Sequence, residues 1–325
     1  MAGIQDFQIL KHLYATRLAD GSEADSISTK ERVLLWKLRY RLSENVEERF
    51  ANRLETIVSL KENGSIAGDI PDFHSYGVDV GGIAFVAMDF FKSESIFNSL
   101  TAVSDRVNRF FQIVQLVASL HASKIVLGDI CEDSFLLKGG NTVVLVALLG
   151  GFELEAKGTT VLPPPSSMNY LSPEQKMGSS AELSTDIYSL GILGYRLLTG
   201  RYPLAGKSTS APEDDPLHTA PAPTVVSPDL PIWIDDLLGR CVEARSKDRF
   251  SDAVQLLQQL DECKRTNISP PGTTRWSRKT LMVRPAKAAA KEDKHQRPGA
   301  GTQIPLNEER EEKARPKRDK FEDED

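Results

Sequence analysis

Few side chains in this sequence carry the means for bond-making chemistry, and the notable ones are carboxylates set among apolar residues. Carboxylates are what a protein uses to handle protons, hold divalent cations or tie down backbone amides. Asp129 lies in Ile125-Val-Leu127-Gly128-Asp129-Ile-Cys131-Glu132-Asp133-Ser134-Phe-Leu-Leu137, a polar stretch between two apolar ones. One reading of an aspartate in such a turn is that it simply binds backbone N–H groups. Glu174 follows Ser172-Pro173, a turn fixed by proline, and Asp186 stands at the start of an apolar helical run. Lys37 interrupts the strand-like Val33-Leu-Leu-Trp-Lys37-Leu-Arg-Tyr40, where a lysine can face solvent. The three cysteines, Cys131, Cys241 and Cys263, have no CxxC spacing. They argue against a zinc site or a disulfide framework and fit a reducing compartment. His74 has no His or Cys at metal-ligand spacing and reads as a partly exposed loop residue.

The elements that must position these groups follow from periodicity. Phe7-Gln-Ile-Leu10 alternates as an opening strand, and residues 33–40 form the next. Between them, residues 11–32 are polar and acidic, with Gly21 as the sole glycine, which reads as a surface turn. Residues 44–61 have helical spacing, with Phe50, Leu54, Ile57 and Val58 on one face. Residues 72–77 and 82–91 read as a hairpin turned by residues 78–82. Residues 106–122 form a strongly apolar core helix. Residues 185–199 form a second, stopped by Gly200 with Pro203 beyond. Residues 232–238 and 251–260 close the domain as helices. Residues 204–230, rich in Pro, Ser and Thr, read as a mobile loop and a docking surface. From Thr266 apolar residues become sparse, and residues 266–325 read as disordered. Within them residues 275–297 are basic, interleaved with Trp276, Leu281, Met282 and Val283; the bland reading is a solvated tail, the sharper one a partner-binding motif over residues 273–285, with Ser277 and Thr280 as candidates for phosphorylation.

Composition narrows the function. The chain has 325 residues, 40% hydrophobic, enough for a two-lobed core. A formal charge of -6 gives no global basic footprint for nucleic acid. No apolar run approaches the ~18 residues that span a bilayer, and the N-terminus lacks a signal-peptide pattern. The expectation is a cytoplasmic protein without a membrane span.

Residues 169–204, NYLSPEQKMGSSAELSTDIYSLGILGYRLLTGRYPL, resemble the large lobe of the eukaryotic-like (Hanks-type) Ser/Thr protein kinases of bacteria. There a Pro-Glu motif is followed by an Asp-Ile-Tyr-Ser-Leu-Gly helix and Leu-Leu-Thr-Gly. The resemblance covers roughly residues 6–263 and implies an α+β, bilobal protein-kinase-like fold. It divides the chain into a small β-rich lobe over 6–91, a large helical lobe over 92–263 and a disordered charged tail over 264–325. It puts Lys37 at the phosphate-contacting lysine, Met88 at the gatekeeper and Asp89 at the start of an adenine-binding hinge. Arg53 falls where the family's helix supplies a glutamate to that lysine, and an Arg opposite Lys37 would repel it. His121 takes a packing and hydrogen-bonding position.

Asp129 falls on the catalytic aspartate, which orients or deprotonates the acceptor hydroxyl. Around it the family's chemistry is missing. Leu127 and Gly128 replace His-Arg, so no arginine is present to receive an activation-loop phosphate. Cys131 replaces the phosphate-contacting Lys, and Ser134 the magnesium-holding Asn. The Asp-Phe-Gly position reads Leu148 when counted from the preceding strand, or Gly151 when aligned on Phe152; a further slip would offer Glu153. Leucine and glycine side chains give a divalent ion no oxygen. Each lost electrostatic contact costs about 3–4 kcal/mol of transition-state stabilisation. By the same resemblance Glu174 pairs with Arg249, and Asp186 receives N–H bonds from the catalytic loop. Lobe architecture is thus kept while ligand chemistry is not.

Three function classes stand open: a pseudokinase acting as a regulatory or scaffolding protein, an unusual but active ATP-dependent Ser/Thr kinase, and an ATP-binding sensor without phosphotransfer. ATP is the implied cofactor, and magnesium lacks its usual ligands. Protein partners are expected through the large lobe, the 204–230 loop or the basic 273–297 segment; nucleic acid is not.

Overall fold

The computed structural model describes residues 3–42, 44–98, 100, 102–148, 167–203, 220–270 and 276. The fold is α+β, with a β-rich N-terminal region followed by a helical one. A short 3-10 turn, Ile4–Asp6, leads into β1 (Phe7–Ala15), β2 (Ala19–Ser26) and β3 (Arg32–Arg41). After α1 (Glu44–Glu62) come β4 (Phe73–Val78) and β5 (Ile83–Asp89). These strands form one antiparallel sheet in the order β1-β2-β3-β5-β4.

Strand pleat sorts this sheet into two faces. Leu34, Trp36 and Leu38 of β3, with Val86 and Met88 of β5, join the main core, together with Val46, Phe50, Leu54 and Ile57 of α1. Val33, Leu35, Phe85 and Ala87 point the other way, into a small cluster covered by Ile4 and Phe7.

The segment 11–32, expected as a turn, instead forms most of a hairpin. Gly21 is not in a surface turn: it sits within β2, paired with Tyr14 and Trp36. A Cβ there would lie 2.0 Å from Cζ of Tyr14, so the ring can cover the strand only because the side chain is absent. The chain reverses at Thr16-Arg17-Leu18, where Thr16 exchanges bonds with Ala19.

The second region opens with β6 (Ser93–Ser95) and α2 (Val103–Ala122), then β7 (Phe135–Lys138) and β8 (Thr142–Leu145); β7 pairs with both β6 and β8 in a small antiparallel sheet. Helices α3 (Pro173–Lys176), α4 (Leu183–Thr199), α5 (Pro223–Val226), α6 (Trp233–Cys241) and α7 (Ala253–Thr266) complete it. α4 is buried almost all round, and its small residues let neighbours approach: a Cβ at Gly194 would lie 2.7 Å from the Phe110 ring of α2. Gly200 ends α4 in the left-handed region at φ 73°, its amide returning to the Arg196 carbonyl.

Three further readings differ from the sequence. His74 lies in strand β4, not a loop, and its Nε2 meets Asp89 at 2.6 Å. Of the stretch 204–230, the described part from Ala220 to Leu230 is packed: Ala220, Ala222 and Leu230 are buried, and Thr224 bonds Asp235 through its amide and hydroxyl. The tail does not lose structure at residue 264. α7 runs on to Thr266 and is closed by Asn267. Trp276 is then 4% exposed, its ring 5.2 Å from that of Tyr195 and its Nε1 donating to the Asp235 carbonyl.

Candidate functional site

The loop carrying Asp129 is built from its backbone outward. Asp186, fully buried at the start of α4, accepts the amides of Leu127 and Gly128, each at 2.7 Å. It also meets Nε2 of His121 at 3.0 Å. The Ala253 amide donates to Nδ1 of the same ring at 3.0 Å, so Nδ1 is bare and the proton lies on Nε2, facing the carboxylate. One carboxylate thereby joins α2, the loop, α4 and α7. Gly128 takes a positive φ of 68°, which turns its carbonyl to receive the Gln175 side-chain amide at 2.8 Å.

Below the loop, Arg249 meets Glu174 in a two-pronged pair, Nη1 to Oε1 at 2.7 Å and Nη2 to Oε2 at 2.8 Å. Its remaining donors go to the carbonyls of Glu243, Ser184 and Ala244, so all five are used. Burial by itself pushes the Glu174 carboxyl up; its bonds to Arg249 and the attraction of that charge outweigh this, and the net direction is down.

The groups at the chemical positions implied by the resemblance are differently placed. Ser134 is buried, its hydroxyl donating to the Asp129 carbonyl at 2.8 Å and accepting the Cys131 amide at 3.0 Å. Burial, with Asp129 nearby, pushes the Cys131 thiol far up, leaving no thiolate. Leu148, three residues past β8, is itself buried. Gly151, Phe152 and Glu153 lie outside the described residues, as do the 204–219 and 277–297 segments. Among the described residues no group of three His, Cys, Asp or Glu side chains is arranged to hold a metal.

Asp129 itself is engaged by the chain. The Leu18 amide donates to Oδ2 at 3.0 Å, and Nε of Arg17 lies 3.6 Å from Oδ1. Lys37 is half-buried and pairs with Phe85, which assigns it by pleat to the face of Leu35 and Phe85. The neighbouring position on the α1 face is Trp36. Met88 is fully buried on that same face, and the Asp89 amide is taken by the Asp72 carbonyl. Arg53 does not oppose Lys37 but donates to the Val126 carbonyl at 3.1 Å. Sequence reasoning passed over Tyr14, Arg17 and Leu18, since nothing local marks a turn whose partner lies 111 residues away.

Of the two residues that the resemblance sets at metal positions and that are described, Leu148 has no side-chain oxygen and the Ser134 hydroxyl is already bonded within its loop, whereas a hard cation requires oxygen ligands.

No protein-family model matches the chain. A probable serine/threonine-protein kinase of Clostridium acetobutylicum is 23% identical over 236 residues, 69% of this chain and 36% of that protein. The serine/threonine-protein kinase PrkC of Bacillus subtilis is 27% identical over 258 residues, 75% of this chain and 38% of that protein. Serine/threonine-protein kinase A of Synechocystis is 25% identical over 252 residues, 71% of this chain and 47% of that protein. The chain is similar to bacterial serine/threonine protein kinases. The aligned stretch spans less than half the length of each of these kinases. Among the described residues, no helix is long and apolar enough to cross a membrane.

Proposed function

We propose that this chain is a kinase-like domain that does not transfer phosphate, a pseudokinase acting as a regulatory or scaffolding protein. One observation carries the reading: the polar groups left in the cleft are bonded to the protein itself. Ser134 and Asp129, at the second-metal and catalytic positions, both have protein partners. The buried Leu148 side chain offers no oxygen. Phosphoryl transfer depends on positioning and on neutralising phosphate charge, and neither group is free to contribute. Partners are proteins met by the large lobe or by the basic 273–297 segment, which Trp276 tethers to α6.

The second reading, an active Ser/Thr kinase, is favoured by the retained Asp129 carboxylate and by the names of the relatives. A radiolabelled phosphotransfer assay on the purified chain, with magnesium and with manganese, separates the two. The expected result is incorporation equal to that of an Asp129→Asn control. Transfer that the control abolishes would establish the kinase. A thermal shift on adding ATP without such transfer would instead mark a nucleotide sensor.

A further inference from the structure

The β1–β2 turn and the Asp129 loop are distant in sequence and joined by a dense set of polar contacts. The Leu18 amide and the Arg17 guanidinium both address the Asp129 carboxylate. Nη2 of Arg17 also donates to the Gly128 carbonyl at 3.3 Å. On the far side, the Tyr14 hydroxyl donates to the Val146 carbonyl at 3.4 Å, next to the strand that leads to Leu148.

The surroundings are shaped for this contact. Tyr14 and Leu18 are buried, and Gly21 supplies the space that the Tyr14 ring fills. The side chains of Arg17 and Asp129 are only 15% and 9% exposed. A charge held that far from water needs its partner, because removing one member leaves the other buried and uncompensated. A kinase site keeps the aspartate open for an acceptor hydroxyl, whereas here any incoming hydroxyl must first displace an amide and a guanidinium.

We propose that the Thr16-Arg17-Leu18 turn is a built-in latch, with Asp129 as its keeper. The chain's own residues are the resident ligand of that carboxylate, and they hold the β-sheet closed on the helical region without nucleotide. This deepens the reading of a non-transferring domain: closure, which a ligand would otherwise drive, is supplied by the polypeptide.

The test is a double-mutant cycle on the full chain, with Arg17→Ala and Asp129→Ala made singly and together and followed by urea unfolding. Each single change is expected to lower the folded-to-unfolded ratio about ten-fold, and the double change by little more than the worse single. Additive losses, about a hundred-fold in the double variant, would overturn the latch. Should Asp129→Ala fail to fold, Arg17→Gln with Asp129→Asn replaces the pair. Amide exchange on the wild-type chain gives an independent readout. The Leu18 amide is expected to be protected without nucleotide and unchanged by millimolar Mg-ATP. Exchange at the rate of an exposed turn, or protection that appears only with Mg-ATP, would overturn the proposal. These readouts do not involve phosphotransfer, so the latch and the inactivity of the site fail separately.

Discussion

The support beneath the loop and the cleft above it make an instructive pair. Both are polar, and in both the polar atoms end on protein. Below, Asp186 gathers two amides and a histidine, and Arg249 uses every donor it has. Such groups rigidify a fold when fully satisfied and harm it when any partner is lost. Above, the same completeness has the opposite meaning for function. A site that does chemistry leaves some polar groups for its substrate. Here Ser134 is turned into its own loop, and Asp129 receives a turn from the sheet. The difference teaches that complete internal bonding steadies the loop from below and, on the reading proposed above, closes it to a ligand from above.

That comparison can be broken or sharpened by mutation, the heaviest losses coming from below the loop. Asp186→Ala strands two buried amides and the His121 Nε2–H; at roughly 1–3 kcal/mol for each, expression without a cooperative unfolding transition is the expected outcome, read by circular dichroism. Arg249→Ala leaves Glu174 without its counter-charge and should cost about 3–5 kcal/mol in denaturant unfolding. Gly194→Ala forces a methyl against Phe110 and Leu238; overpacking of this kind costs about 1–3 kcal/mol, read as a lower midpoint with an unchanged denaturant slope.

Acid titration probes the Glu174–Arg249 pair without deleting either chain. The Glu174 carboxyl is held below its ordinary value, so its stabilisation is complete above that value and is lost as pH falls through the depressed one. Wild type should therefore lose stability more steeply than Glu174→Gln between about pH 5 and pH 3, closing the gap between them. Equal slopes would mean that the pair contributes nothing electrostatic. The smallest effect is expected at Lys37. On the outer face of β3, Lys37→Ala should change stability by less than about 0.5 kcal/mol. A large loss there, or a loss of ATP-dependent thermal shift, would return Lys37 to the cleft.

Much of the helical region was legible because its signals are local. The α4 run, its Gly200 stop and the Ser172-Pro173 cap each depend on a few neighbouring residues, and the structure's element bounds fall within a few positions of the pattern. The β-rich region was read less well. Lys37 and Trp36 are adjacent, and a one-residue choice of register exchanges their faces. Nothing in the composition of β3 makes that choice; the pairing of Trp36 with Val86 and Gly21 does. Trp276 was hidden for a related reason, since a lone aromatic in a charged segment looks like tail until its socket beside Tyr195 is known.

What the sequence determined by itself was which side-chain atoms stand at each position: a leucine side chain carries no oxygen in any fold, and a serine side chain carries one polar atom where an amide would carry two. It also determined the order of the helices, because amphipathic period and stop residues act over a few turns. Only the tertiary structure decided where the remaining polar groups spend their bonds. Arg17 and Asp129 find each other across 111 residues of intervening chain, and such a pairing follows from how sheet and helices close, which no local pattern records.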